Sequence, residues 1–502
     1  MVAPSIDAVW LVDLAGRRRR GKGLQMNVLR IFAKCLMSIF IVYGSICGNG
    51  FSQDRDADSK PGTDELNSLW SRPGEDWSLF LGPTGNGRSE LRGLVVPWAE
   101  TGPEVCWTIE LGEGYCGPSV SKGRAIVFDR IAGDERLRCV HAETGELIWE
   151  ERSPTGYVDM FGYDGGPRSS PILCDGYVIS YGAEGLLACR RLVDGSLQWK
   201  VETGKEFHVV PNFFGVGASP VIYKTTSGSQ RKLVIVQVGG SASDGSPADP
   251  QRLDLVKGFD SGLVAFDIEN GTEVWRTSNE LASYSTPLLN TFDGEVRLLA
   301  WMRDRLLLID PESGAVKDSF FWRAKELFSV VAASPVVHAA EVLLSETYGP
   351  GSVLLGVEND LFVERRRDPP RSRHRNSLRC HWATPVLHDG CVYGTTGRNA
   401  GDALFVCTDW RTGELHWKEP GLGRAGCVLV DGVLIVLSEF GELLVIKASK
   451  KTCEIISRCE LVDRQTRDTL LSPPCWASPV VAHGYLYIRG AGKLVCIDLM
   501  NQ

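Results

Sequence analysis

The stretch Leu404–Lys418, LFVCTDWRTGELHWK, decides the fold. Leu404, Val406 and Thr408 alternate with Phe405, Cys407 and Asp409, the period-two pattern of a β-strand. Thr412-Gly413 makes a tight turn, where glycine accepts a backbone conformation that a Cβ resists. A second strand follows and ends at Trp417, four residues after the glycine. The arrangement recurs in LRCVHAETGELIWE (137–150, Trp149), LACRRLVDGSLQWK (187–200, Trp199) and GLVAFDIENGTEVWR (262–276, Trp275), always with a glycine-to-tryptophan offset of four. One such hairpin is ordinary; four with one offset are a repeat.

A second phrase stands before these hairpins: a small residue, Ser or Thr, then Pro and two or three apolar residues, often closed by an Asp-Gly turn. Its copies include SSPILCDGYVIS (169–180), ASPVIY (218–223), STPLLN (285–290), ASPVVH (333–338), ATPVLHDGCVYG (383–394) and ASPVVAHGYLYI (477–488). GPSVSKGRAIVF (117–128) and AGCVLVDGVLIV (425–436) are divergent copies. A four-stranded unit of this length cannot bury both faces of its own sheet, whereas radial stacking buries them and leaves only short edges. Pro suits the first strand if its missing N–H faces the central axis.

The fold expected is therefore all-β, an eight-bladed β-propeller of four-stranded antiparallel blades. Blades should begin near residues 117, 168, 217, 284, 332, 382, 424 and 476. The last ends at KLVCIDLM (493–500) without a hairpin partner, and EVCWTIEL (104–111) supplies its outermost strand. N- and C-terminal strands thus pair to close the ring, and Trp107 takes the tryptophan position. Trp107, Trp149, Trp199, Trp275 and Trp417 should dock each blade on its neighbour. Blades four, five and seven lack the tryptophan; Asp318, the region near Leu361, and Ile455 stand about where it would be. A Gly/Ser/Asp-rich insertion (239–258) interrupts the third blade, and the basic run Glu364–Arg375 is expected to be a solvated loop.

The 502 residues fit one such domain over 76–502, preceded by a polar, aperiodic leader over 53–75 that is expected to be disordered. Residues 1–52 read as a signal or targeting segment: Arg17–Arg20 and Lys22, then the apolar run Cys35–Ile46, with small residues Gly50 and Ser52 before a cut ahead of Gln53. Export to the periplasm or cell envelope is expected, with no transmembrane domain in the mature chain and a monomeric state. A net charge of −8 gives no basic footprint and argues against nucleic acid as a partner. Among 15 cysteines no C-x-x-C or metal-like cluster occurs. Cys139, Cys189, Cys407 and Cys496 share one repeat position with Ala265 and Leu308, which marks a small buried apolar residue. Cys453 with Cys459, or Cys106 with Cys116, remain as pairs that could oxidise.

The repeats [ED]-x-T-G-x-x-x-W and A-S-P-V-V, together with DWSLFLGPTGNG (76–87) and LGEGYCGPSV (111–120), resemble the pyrroloquinoline-quinone-binding-like β-propeller repeat proteins of exported bacterial type. That group includes quinoprotein alcohol and glucose dehydrogenases and the outer-membrane assembly lipoprotein propeller, which binds protein and no cofactor. The resemblance covers about residues 74–500 and is specific for fold rather than activity. Resemblance to the alcohol dehydrogenases of that class implies a quinone stacked between a Trp and a vicinal Cys-Cys disulfide, Ca²⁺ held by carboxylate and amide oxygens, and an Asp base. No Cys-Cys pair exists in the sequence, so no catalytic residue, cofactor or metal is assigned; a quinone with Ca²⁺ stays as the alternative.

Function is expected at the funnel formed by loops ahead of the inner strands, with Tyr157, Arg168, His208, Asn212, Tyr284, Arg379 and His381 as candidate binding residues. For each a purely structural role stands beside the binding one: Arg168 and Arg379 could tie blades together, and His381 could be a satisfied buried histidine. The reading favoured is a non-catalytic binding or scaffold propeller that engages a protein or envelope component. A quinoprotein oxidoreductase and a small-molecule or carbohydrate binder are the alternatives.

Overall fold

The computed structural model describes residues 67–99, 102–228, 230–242, 249, 251–369, 378–463 and 465–501. The targeting segment 1–52, residues 53–66 of the leader and part of the basic run (370–377) lie outside the described residues. Among the described residues eight sheets form eight blades, each of four antiparallel strands, with a short fifth strand added in parallel to the seventh. Blade 6 shows the plan, with strands Val386–His388, Cys391–Thr396, Leu404–Asp409 and Leu415–Pro420 in that spatial order. Asp389 and Gly390 both have positive φ, 48° and 72°, the two-residue turn whose twist matches that of the flanking strands. In blade 8 the innermost three strands are Val480–Ala482, Tyr485–Gly490 and Lys493–Asp498, and Glu104–Glu110 pairs antiparallel with the last. The ring is closed by its two ends.

The third and fourth strands of every blade share one irregularity. The register shifts by one residue at the tryptophan position, as where Cys407 faces Trp417 but Thr408 faces Leu415. Such a bulge re-aims the side chain beside it. The five tryptophans, 8–9% exposed, turn onto the following blade and donate their indole N–H to a backbone carbonyl there. Trp107 reaches Ala142 O at 3.0 Å, Trp149 Leu192 O at 2.9 Å and Trp199 Ile268 O at 2.7 Å. Trp275 reaches Pro311 O at 3.1 Å and Trp417 Ser449 O at 2.7 Å. Four of these rings lie on the turn glycine of the next blade, so closely that a Cβ on Gly145, Gly195, Gly271 or Gly314 would stand 2.6–2.8 Å from the indole.

The bulge also identifies what replaces tryptophan in the other blades. In blade 4 it is Asp318, as expected from sequence. Asp318 accepts the N–H of Phe362 at 2.7 Å, so this junction is joined by an acceptor instead of a donor. In blade 5 the position belongs to Arg366, not to the region of Leu361, and its guanidinium lies against Gly413. In blade 7 it belongs to Ser457, two residues beyond Ile455, because the bulge skips one residue. Ser457 Oγ accepts Trp98 N–H at 2.9 Å. The blade that follows is the closing one, which has no third-to-fourth-strand hairpin for a tryptophan to cover.

Apolar clusters sit between blades, as where Phe405, Cys407 and Trp417 of blade 6 pack with Leu434, Val436 and Leu444 of blade 7. Cys139, Cys189, Cys407 and Cys496 are fully buried opposite the tryptophans. All 13 described cysteines are free thiols, Cys453, Cys459, Cys106 and Cys116 included.

Residues 67–75, expected as part of a disordered leader, instead form a strap across blades 8 and 1. Trp70 stacks on His483 with ring centroids 4.0 Å apart, and Arg72 pairs with Asp498 at 3.2 Å. The chain then enters the ring. Trp77 exchanges backbone hydrogen bonds with Val120 of blade 1, and Ser78 O accepts Leu173 N–H of blade 2. Gly85 touches Leu288 of blade 4, Gly87 touches Val386 of blade 6, and Arg88–Ser89 pairs in parallel with Leu429–Val430 of blade 7. A dozen residues can touch the innermost strands of five blades only where those strands converge. The segment 77–89 therefore plugs the axis.

Candidate functional site

At the funnel, each connection ahead of an inner strand supplies one aromatic or arginine side chain. Tyr115, Arg168, Phe214, Tyr284, Phe328, Trp382, Arg424 and Trp476 come from blades 1 to 8 in turn. They form a collar. Trp476 lies 4.8 Å from Tyr115 and 4.6 Å from Trp382, between ring centroids. Arg168 Cζ is 5.5 Å from the rings of both Tyr115 and Phe214, and Phe214 is 5.8 Å from Tyr284. Arg424 stands 4.5 Å over Trp382 and 5.0 Å over Trp476, in the range of cation–π attraction. Phe328 meets Phe213 at 5.8 Å and shares an apolar cluster with Tyr348, Leu253 and Val256.

Both collar arginines are neutralised from behind. Arg168 pairs with buried Asp159 at 2.8 Å. Arg424 grips buried Glu439, which also accepts Trp476 Nε1–H at 3.0 Å. Burial alone would raise the Glu439 carboxyl, but hydrogen bonds from Arg424 hold it below the ordinary range. These cations thus hold the collar together and present little free charge to the funnel.

Of the residues singled out from sequence, Arg168 and Tyr284 are brought together on either side of Phe214, whose N–H donates to Tyr284 Oη at 2.8 Å. His381 lies 4.2 Å from Trp382 with the rings tilted by 36°, and shares a hydrogen bond with Tyr348 Oη at 3.0 Å. Burial first, then Arg424 and Arg398, push its pKa down to about 3, so it is neutral at physiological pH. Arg379 is half-buried and its N–H donates to Thr396 Oγ1 at 2.9 Å. His208 is exposed, at φ 50°, apart from the collar.

Tyr157 and Asn212 line a separate cavity of about 370 Å³, off the axis beside blades 2, 3 and 4. Asn212 is satisfied locally, accepting Phe213 N–H at 3.0 Å and donating to Ala282 O at 3.2 Å. The cavity also brings in Gln237, Ser283 and Arg303, which sequence reasoning missed. Arg303 follows the second strand of blade 4 in Trp301-Met-Arg-Asp304, and nothing in that tetrapeptide separates it from the many surface arginines. The collar's Tyr115, Phe328, Arg424 and Trp476 were also missed, although each occupies the same place ahead of an inner strand.

On the rim, the connection 155–168 projects Val158, Phe161 and Tyr163, which are 80%, 42% and 58% exposed. Phe161 lies 5.6 Å from Phe214 and Tyr163 6.2 Å from it, so rim and collar are one continuous apolar surface.

The residues present do not match the quinone site of an alcohol dehydrogenase. The axis is filled by the chain's own segment 77–89, and the sequence has no vicinal cysteine pair. Among the described residues no group of three or more His, Cys, Asp or Glu could hold a metal ion.

Fold and collar together define an eight-bladed propeller built around an aromatic funnel. A family model described as outer membrane protein assembly factor BamB matches residues 88–243 and 133–457, and the chain belongs to this family. It is similar to the outer membrane protein assembly factor BamB of Moranella endobia, at 23% identity over 257 residues, covering 46% of this chain and 60% of the relative. The chain thus spans about 60% of the length of that curated relative. Among solved structures, BamB from Moraxella catarrhalis superposes with a TM-score of 0.51 at 16% identity, covering 79% of this chain and 99% of that one. Quinohemoprotein alcohol dehydrogenase from Comamonas testosteroni superposes with a TM-score of 0.57 at 11% identity, covering 85% and 81%. At these identities the structural likenesses concern the fold.

Proposed function

We propose that the protein is a non-catalytic binding propeller of the cell envelope that engages a protein partner through its funnel face. The observation that carries this reading is the continuous apolar surface made by the collar and the rim residues Val158, Phe161 and Tyr163. Exposed apolar side chains joined to a half-buried aromatic patch are what protein interfaces use, and a stable soluble surface otherwise avoids them. Family membership supports the same reading, because the matching relative is named an outer membrane protein assembly factor. The partner is then a component of the outer-membrane assembly machinery, reached after export directed by residues 1–52. No helix among the described residues is long and apolar enough to cross a membrane.

The test places a photo-crosslinking amino acid at Phe161 in cells and identifies what it captures. A cross-link to an outer-membrane assembly component, lost in a Val158→Asp, Tyr163→Ser background, is the expected result. Cross-linking that survives those changes, or none above a probe at exposed Lys205, overturns the assignment.

A further inference from the structure

The off-axis cavity carries a second function. Arg303 lines it and is 5% exposed; its guanidinium lies 5.7 Å over the Phe213 ring, yet makes no ion pair and no hydrogen bond, and Nε and Nη2 are buried without an acceptor. The nearest carboxylates are occupied elsewhere: Asp304 by Arg323 and Asp254 by Arg252. An unpaired guanidinium out of water is costly, and proteins pair such a group or give it a ligand. Tyr157, on the connection between blades 1 and 2, lines the same space, and its hydroxyl is also buried without a partner. The other polar groups of the lining are already used: Gln237 Oε1 accepts Ser283 N–H at 2.8 Å, its Nε2 donates to Ser285 O at 2.7 Å, and Tyr181 Oη bonds Thr203 Oγ1 at 2.8 Å. Glu184, the one carboxylate of the lining, is engaged by Thr155 Oγ1 at 2.7 Å and Gly156 N–H at 3.0 Å, and Val209, Val216, Leu253 and Leu281 make the wall's apolar part.

We infer that this cavity is a binding site for a small organic carboxylate, with Arg303 taking the carboxylate, Tyr157 donating a hydrogen bond, and the apolar wall receiving a short hydrocarbon or aromatic body. One unpaired cation, one free hydroxyl and an otherwise satisfied apolar shell specify a monoanion with an apolar tail, and about 370 Å³ lies in the size range of small-molecule sites. Arginine suits the role because its planar fork binds a carboxylate through two parallel hydrogen bonds. A small acid fits better than a chain terminus because both free donors are buried rather than presented at the surface. Val158 borders both surfaces, but Phe161 and Tyr163 do not line the cavity, so the cross-link from Phe161 and the titration test the two assignments separately.

Calorimetric titration of the purified protein with phenylacetate and with hexanoate tests the inference, using phenylacetamide as the uncharged control. Saturable binding of an acid and none of the amide is expected. Arg303→Met should weaken it about ten- to a hundredfold, the worth of hydrogen bonds to a charged group. Tyr157→Phe should weaken it less, and Arg458→Gln, at an arginine paired with Glu442 on blade 7, should leave it unchanged. Arg303→Met should also melt no lower than wild type, since it removes an unpaired buried charge; the Tyr157→Phe titration stands if that variant fails to fold. No saturable binding of either acid, equal binding of the amide, or undiminished binding by Arg303→Met overturns the proposal. Binding of a free-acid tetrapeptide with neither small acid overturns it in favour of a partner's chain terminus.

Discussion

Replacing Trp417 by alanine tests the inter-blade latch directly. The indole is 9% exposed, lies 5.9 Å from Tyr393 and 6.2 Å from Phe405, and donates to Ser449 O of blade 7 at 2.7 Å. Truncation removes the ring from a cluster shared by blades 6 and 7 and leaves a cavity that strands cannot easily collapse. Large-to-small changes of this kind cost about 3–5 kcal/mol. The hydrogen bond contributes roughly 1 kcal/mol of that, so Trp417→Phe, which keeps most of the ring, should lose about 1–2 kcal/mol. Urea unfolding followed by far-UV circular dichroism measures both, and hydrogen exchange shows where the loss falls. Nearest-neighbour coupling predicts that Ser449 and the third and fourth strands of blade 7 lose protection before blades 2 and 3. A loss below about 1 kcal/mol for the alanine variant, or protection lost uniformly round the ring, would refute the latch.

Two further outcomes follow from buried carboxyls. Glu346 is 2% exposed; burial, only partly offset by the Ala324 N–H at 3.0 Å, raises its pKa from 4.5 to about 8. Between those values the folded protein holds a proton that the unfolded chain releases, so stability falls as pH rises through the window. Glu346→Gln should therefore raise the melting temperature by a few degrees at pH 8 and change it little at pH 4; equal shifts at both would show that Glu346 is already ionised in the fold. Asp76 behaves oppositely. Burial alone would raise it, but hydrogen bonds from His483, Ser121, Trp70 and Lys122 bring it down to about 2. Its contribution is present above the ordinary carboxylate pKa and is lost as pH falls from about 4 to about 2. At neutral pH, Asp76→Ala should free the strap and expose the Trp70–Ser71 bond to chymotrypsin, and unchanged resistance would place the anchor elsewhere.

Much of the ring was legible because its signals are local. A glycine four residues before a tryptophan reports a turn and the bulge behind it, and both depend on neighbours within one hairpin. The blades without tryptophan were harder to read. Ser457, not Ile455, and Arg366, not the region of Leu361, take the latch position, because a one-residue bulge changes which side chain faces the next blade. The candidate site was less legible still. Tyr157, Arg168, Asn212, Tyr284 and His381 were singled out by their place ahead of inner strands, but whether each is free or engaged depends on distant partners. Arg168 is held by Asp159.

The sequence by itself determined the number of blades, their strand order and the pairing of 104–110 with 493–498, because period, turn chemistry and a missing strand are written along the chain. Only the tertiary structure decided that 77–89 fills the axis, that eight connections join into one collar, and that the Arg303 guanidinium is buried with no carboxylate or carbonyl bound to it. Those facts depend on which side chains converge from blades far apart in sequence, and convergence of that kind leaves no periodic trace.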